Sequence, residues 1–266
     1  MTLGSQFDGS GGFPLAGVLN GITPVWASEI EPYPLRVTAL RFPDMIQLGD
    51  ITKIDGAKIP PVDIITFGSP CQDLSVAGKQ AGLKDGERSS LFYEAIRVIQ
   101  EMRDATDGKY PRFLVWENVP GAFSSNGGSD FQEVLQSIVE IVDVFSYVPQ
   151  PKKWQHAGCI VGDGYSLAWR VYDAQFWGVP QRRKRVYLIA DFGSERAGEI
   201  LFESESMSGN PEQSSEERQG TAADAEGSLT YPIENHPCDS RVTLQEPDTP
   251  VQTLNARMGT GGATFQ

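Results

Sequence analysis

Cysteine, histidine and basic residues are scarce in this chain of 266 residues: 3 Cys, 2 His, and 22 Lys plus Arg against 35 Asp plus Glu. The three cysteines, Cys71, Cys159 and Cys238, lie far apart in sequence. That excludes a disulfide framework and the paired ligand spacing of a structural metal site. The net charge of −13 argues against general nucleic-acid binding, because affinity for phosphates comes from cations that release counterions. It leaves room for a local basic cleft. No apolar run approaches the roughly 20 residues that a membrane span needs. The N-terminal stretch MTLGSQFDGSGG has neither the basic nor the apolar region of a secretion signal. A cytoplasmic protein with no structural metal and no membrane partner is expected.

The composition is otherwise that of a globular protein, 39% hydrophobic and 21% charged, so a sizeable core can form. Charge is uneven along it. There are 18 basic and 21 acidic residues up to position 190, and 4 basic and 14 acidic beyond it. Residues 193–228 are rich in Ser, Glu and Gly and poor in large apolar groups, so burial cannot offset their ordering entropy. They are expected to form a flexible acidic linker between a domain over 1–192 and a smaller region over 229–266. The run Arg182-Arg183-Lys184-Arg185 is either a solvated strand edge or a local anion contact.

Short apolar runs at 24–30, 62–67, 112–119 and 185–192 predict buried strands. Leu91, Phe92, Ala95, Ile96, Ile99 and Met102 fall on one helical face, as do Phe131, Val134, Leu135, Ile138, Val139 and Val142. Asp130 with Glu133 predicts an N-cap and its partner for the second helix, and Asp107-Gly108 a stop after the first. Alternating strands and helices predict an α/β fold with a doubly wound, mostly parallel sheet.

Ligands bind such sheets at the carboxyl ends of the strands, which directs attention to the residues following each run. In Phe7-Asp8-Gly9-Ser10-Gly11-Gly12, glycines would let the backbone approach a ligand closely, or simply make a turn. Pro14 breaks the dinucleotide fingerprint. Glu29, some twenty residues on, can accept bonds from ribose hydroxyls. Asp50 is either a cap or an acceptor for an adenine amine. Gly68-Ser69-Pro70-Cys71-Gln72 delivers a Cys to a constrained loop, where it is a nucleophile or a small buried hydrophobe. Glu117 ends the apolar Phe113-Leu114-Val115-Trp116, where a carboxylate must be ion-paired or held for acid/base or hydrogen-bonding work. His156 reads as a surface residue.

In this order the segments resemble the DNA (cytosine-5-)methyltransferases, especially those of bacteria and their phages. Phe7-x-Gly9-x-Gly11-Gly12 resembles the first motif of that family, Glu29 the second, Gly49-Asp50-Ile51 the third and Pro70-Cys71-Gln72 the nucleophile loop. Arg88-Ser89-Ser90-Leu91-Phe92 resembles the fifth, Glu117-Asn118-Val119 the sixth, and Gln181-Arg182-Arg183-Lys184-Arg185 the Gln-x-Arg-x-Arg motif. The resemblance implies a Rossmann-like fold in which Phe7, Gly9, Gly11, Gly12, Glu29, Asp50, Ile51 and Pro70 line a site for S-adenosylmethionine. Glu29 would serve the ribose and Asp50 the adenine. It further implies Cys71 as the nucleophile, Glu117 bonded to the base, Arg183 and Arg185 as donors toward the base and the reacting loop, and Gln72, Asn118 and Gln181 on the substrate side. The implied substrate is a cytosine flipped out of duplex DNA, and the loop Ser75–Arg88 is either a closing element or a passive surface loop.

Residues 249–262 resemble a stretch within or beside the target-recognition region of the family. The Arg-x-Leu-Thr and Gly-Asn-x-Val motifs that follow in relatives are not found. The resemblance therefore allows three forms: an active methyltransferase, one half of an enzyme completed by a second chain, or a non-catalytic remnant that binds cofactor or DNA. Ile30 stands where relatives often carry an aromatic residue.

Overall fold

The computed structural model describes residues 1–68, 91–178 and 180–202, together with the backbone of 233–235 and 242–244. The chain divides into two compact units, Met1–Val171 with Val186–Phe202 and Tyr172–Arg185 with Glu203–Gln266. Among the described residues no helix is long and apolar enough to cross a membrane.

The first unit is built around a mixed sheet. Its strands are β1 (Thr2–Gln6), β2 (Thr23–Ser28), β3 (Ile46–Gln47), β4 (Ile64–Phe67), β5 (Phe113–Asn118), β6 (Ala157–Gly162), β7 (Tyr165–Asp173) and β8 (Lys184–Asp191). Their order is β3-β2-β1-β4-β5-β8-β7-β6. Strands β1 to β5 pair in parallel, whereas β8 runs antiparallel to β5 and β6 antiparallel to β7. The predicted strands at 24–30, 62–67, 112–119 and 185–192 correspond to β2, β4, β5 and β8. Four others were not signalled by apolar runs. The β6–β7 hairpin turns at Asp163-Gly164, with Gly164 at φ 76°, and this Asp-Gly pair is the local signal that marks it.

Strand β1 is the least obvious of these, because TLGSQ is not an apolar run. It is paired on both edges, and side chains on both of its faces are buried, so that Leu3, Gly4, Ser5 and Gln6 are all inside. Gly4 fits this position for a steric reason: a Cβ there would lie 2.2 Å from the ring of Trp26, which is itself fully buried and bonded through its indole N–H to the Pro60 carbonyl.

Helix α1 (Gly12–Leu19) joins β1 to β2, α2 (Pro32–Arg41) joins β2 to β3, and α3 (Leu91–Ala105) enters β5. Helix α4 (Ser129–Glu140) follows β5. The periodic stripes predicted for α3 and α4 are the faces that enter the core, with Phe92, Ala95, Ile99 and Met102 packed in one cluster with Phe131, Val134, Leu135 and Ile138. Helix α3 stops where Asp107 and Gly108 adopt positive φ and the Gly108 N–H closes on the Arg103 carbonyl. The start of α4 differs from expectation. Its N-cap is Gly128, at φ 94°, and Asp130 is buried in the first turn, where it accepts from the Ser125 hydroxyl and the Asn126 amide. The two left-handed glycines bring the chain into the helix, so the carboxylate is free to tie down the preceding loop. Glu133 accepts instead from the Tyr93 hydroxyl at 2.6 Å.

A fifth helix, α5 (Ala197–Leu201), lies inside the span expected to be linker. Ala197 donates its N–H to Ser166 Oγ at 2.9 Å and buries its side chain together with Leu201, so those few apolar residues suffice to order the start of that span. In the second unit, Ile233–Asn235 and Val242–Leu244 form a short antiparallel ladder.

Candidate functional site

The strand order reverses between β1 and β4, since connections from β1 lead outward through β2 to β3 and those from β4 lead to β5. At such a switch point the two sets of loops diverge and leave a crevice beyond the carboxyl ends. Across the sheet, the residues that follow β3, β2, β1 and β4 are Asp50, Glu29, the Phe7–Gly12 loop and Gly68. Glu117 stands near the end of β5.

The loop after β1 is shaped by positive φ at Phe7, Gly9 and Gly11, of 52°, 57° and 86°. At Gly11, the N-cap of α1, a Cβ would also meet the Phe42 ring at 2.8 Å. A Cβ at Gly9 or Gly12 would meet nothing within 4 Å, so this face of the loop is open. Glu29 organises the loop: Oε2 accepts from the Gly9 N–H at 2.8 Å, and Oε1 from the Ile30 and Glu31 N–H groups at 2.7 and 2.9 Å. Ser28 Oγ ties the end of β2 to the Gly49 carbonyl at 2.7 Å.

Asp50 caps the turn Ile51–Lys53, its Oδ1 accepting from the Thr52 N–H at 3.0 Å and hydroxyl at 2.8 Å. These bonds, with Lys53 nearby, hold its carboxyl below the usual carboxylate range. Ile51 is buried with Ile54 and Val98, against Phe7 and Leu48. Its carbonyl, and that of Ile54, accept from Arg97 on α3 at 3.1 and 2.8 Å. Arg97 also pairs with Glu94 and Glu101 at 2.8 Å, and Glu101 accepts from the Gly56 N–H at 2.7 Å. This clamp on the 51–56 loop was not apparent in the sequence, because Arg97 looks like any exposed-face helical cation.

Gly68 lies against Glu117, since a Cβ there would come within 3.0 Å of Glu117 Oε2. The backbone register pairs Glu117 with Tyr187 and Asn118 with Val186. Asn118 is buried and its Oδ1 accepts from the Val119 N–H at 2.8 Å. Pro70, Cys71, Gln72 and the loop Ser75–Arg88 lie outside the described residues, as do residues 249–262. Gln181, Arg183 and Arg185 belong to the second unit, where the Arg183 carbonyl accepts from the Ala174 N–H and the Arg185 guanidinium donates to the Lys184 carbonyl at 2.8 Å. His156 is exposed, with its ring stacked 6.3 Å from that of Phe123.

Asp8 stands in the middle of the first motif and had no role assigned from sequence. It is buried; Oδ1 accepts from the Ser5 hydroxyl at 2.6 Å, while Oδ2 is buried with no hydrogen-bond partner. Burial, opposed by the Ser5 bond and reinforced by the neighbouring Glu29 carboxylate, pushes its pKa up to about 6. A cleft of about 470 Å3 elsewhere in this unit is lined by Arg103, Asp104, Asp107 and Asp163. It lies by the amino end of β5 and includes none of the motif residues.

An open α/β sheet with a glycine loop and acidic residues at successive carboxyl ends defines a Rossmann-like fold. Within that class the profile of the C-5 cytosine-specific DNA methylases matches residues 1–148 and 160–250. The chain belongs to that family. It is 33% identical over 216 residues to the DNA N-6-adenine-methyltransferase of Escherichia phage P1, covering 71% of this chain and 28% of the relative. It is 32% identical over 171 residues to the type II methyltransferase M.NgoBV of Neisseria gonorrhoeae, covering 64% and 35%. With the type II methyltransferase M.HhaI of Haemophilus parahaemolyticus it shares 31% over 183 residues, covering 69% and 46%. The chain thus spans less than half the length of each of these relatives.

Proposed function

We propose that the protein transfers a methyl group from S-adenosylmethionine to C5 of cytosine in duplex DNA. The observation that carries this reading is the order of strand ends: acceptors suited to adenine and ribose, then the glycine loop, then the strand leading to Cys71, then Glu117 against Gly68. The residues fit the cofactor. Glu29 Oε2 accepts one N–H and keeps a lone pair for a ribose hydroxyl. The Asp50 carboxylate has acceptor capacity beyond its cap bonds for the adenine amine, while Phe7, Gly9, Gly11, Gly12 and Ile51, with Pro70 from outside the described residues, would complete the lining. When bound, the cofactor supplies an electrophilic methyl group.

Cytosine C5 is a poor nucleophile. The Cys71 thiolate adds to C6, forming a C–S bond and pushing electron density to C5, while Glu117 bonds N3 and the exocyclic amine and stabilises the charge that develops on the ring. Arg183 and Arg185 would serve as donors toward the base and the reacting loop, with Gln72, Asn118 and Gln181 on the substrate side. After methylation, loss of the C5 proton and departure of Cys71 restore the aromatic ring. The base must leave the duplex stack to be reached, at a cost of a few kcal/mol. We assign residues 1–192 to catalysis, the acidic stretch after them to a connection, and 229–266 to part of a target-recognition region.

The name of the phage P1 relative specifies adenine N6, whose exocyclic nitrogen needs no covalent activation by a thiol. Cys71 therefore separates the two products. Duplex DNA containing 5-fluorocytosine retains a group at C5 that cannot leave as a proton. With cofactor, it is expected to give a denaturant-stable adduct with this chain and none with Cys71→Ser. A folded, cofactor-binding chain that forms no adduct on mixed-sequence duplex would overturn the reading.

A further inference from the structure

Asp8 is a buried titratable group at this strand edge to which the proposed reaction gives no role. Its Oδ2 is buried and has no hydrogen-bond donor, although a buried carboxylate oxygen ordinarily has one. Among the described residues no cation acts on it. No Lys or Arg occurs in the first 35 residues, while Asp8, Glu29 and Glu31 all do. Strand β1 contributes the Ser5 hydroxyl, α1 and β4 contribute no titratable side chain, and Glu29 at the end of β2 is the charged group that acts on Asp8 among the described residues. The strand order supplies the ligand's direction. With adenine at the end of β3 and ribose at the end of β2, the next part of the cofactor falls at the end of β1, on its way to the strand that leads to Cys71.

We propose that the Asp8 carboxylate is a cofactor-recognising group, the counter-ion for the cationic methionyl end of S-adenosylmethionine laid along the glycine loop. This rests on the cofactor reading given above. In the absence of a ligand, burial and Glu29 favour the proton-bearing form of Asp8. A cation at the end of β1 favours the ionised form, so binding is coupled to release of one proton.

The test is titration calorimetry with S-adenosylmethionine and with 5′-methylthioadenosine, which keeps the adenosine and lacks the cationic tail. Affinity of the parent chain for S-adenosylmethionine is expected to fall about tenfold from pH 7 to pH 5, as Asp8 becomes protonated. Asp8→Asn should bind it about tenfold more weakly at pH 7, with that pH dependence abolished. Binding of 5′-methylthioadenosine should be the same in both proteins and flat with pH. Glu29→Gln, although weakened for both ligands, should keep the step, which assigns it to Asp8. In the parent chain, paired buffers of different ionisation enthalpy should show about half a proton released per S-adenosylmethionine bound near pH 6, a readout independent of whether the variant folds.

Equal affinity and pH dependence in parent and Asp8→Asn, equal loss of both ligands, or no proton release overturns the proposal while leaving the cofactor reading intact. Failure of the parent chain to bind either ligand at any pH overturns both.

Discussion

A buried carboxyl group that must ionise at neutral pH stores a cost in the fold. The pKa of Asp8 is raised from 3.8 to about 6, so the folded protein binds its proton more tightly than the unfolded chain does. Its contribution to stability is therefore fully present below the unfolded value and lost as pH rises through about 4 to 6. A rise of that size corresponds to about 3 kcal/mol at most. Asp8→Asn removes the ionisation but keeps an acceptor for Ser5. Chemical denaturation should show it more stable than the parent at pH 8 by about 1–3 kcal/mol, with the gain vanishing near pH 4. A gain that is the same at both pH values would place its origin elsewhere. The same residue thus joins a stability cost to ligand recognition, a combination common where a site is prepared for a charge that the protein itself does not carry.

Arg97 acts on a whole loop. Its guanidinium bonds the carbonyls of Ile51 and Ile54 and is held by Glu94 and Glu101, so helix α3 fixes the segment that presents Asp50. Arg97→Met keeps the stem and removes the donors, leaving two acidic side chains without their partner. It should lower stability by about 1–3 kcal/mol. Hydrogen exchange should quicken at the Ile54 and Gly56 amides, which are bonded within this clamp. Amides of β1 and β4 should be unchanged beyond the global loss. If exchange at Ile54 and Gly56 follows the global change alone, the clamp is not what orders the loop. Helix α4 illustrates the other direction of control. The Asp130–Glu133 spacing looked like a capping pair, yet glycine dihedrals at 127 and 128 set the helix start and released Asp130 for the loop.

At the level of the whole chain, membership of the C-5 cytosine-specific DNA methylase family coexists with a match that spans less than half of each relative described above. Labelled methyl transfer to mixed-sequence duplex DNA, with digestion to nucleosides, measures what the chain does alone. The expected product is 5-methylcytosine from the parent and none from Cys71→Ser. N6-methyladenine made equally by both would assign the activity to chemistry without the thiol. No transfer by a folded, cofactor-binding chain would favour completion by a second polypeptide, testable by adding candidate chains back.

Four strands, two long helices and the ordered series of motifs were readable from neighbouring residues alone, because apolar runs, helical spacing and short catalytic signatures are local properties. Glu29, Asp50 and Glu117 were singled out for the same reason: each is a charged residue at the end of a strand-like segment. Strand β1 was not readable, since TLGSQ becomes a strand only when β2 and β4 pair with both its edges and the fold buries its polar side chains. Nor was Asp8, whose unusual carboxyl depends on burial, on Ser5 and on Glu29 at the end of another strand, or Arg97, whose carbonyl acceptors lie more than 40 residues away. The reversal of strand order at β1 and β4, which lines up the loops into one site, belongs to the same category. Local sequence encodes what each segment can be, whereas burial, charge environment and the neighbours of a loop are sums over distant residues and exist only once the chain has folded.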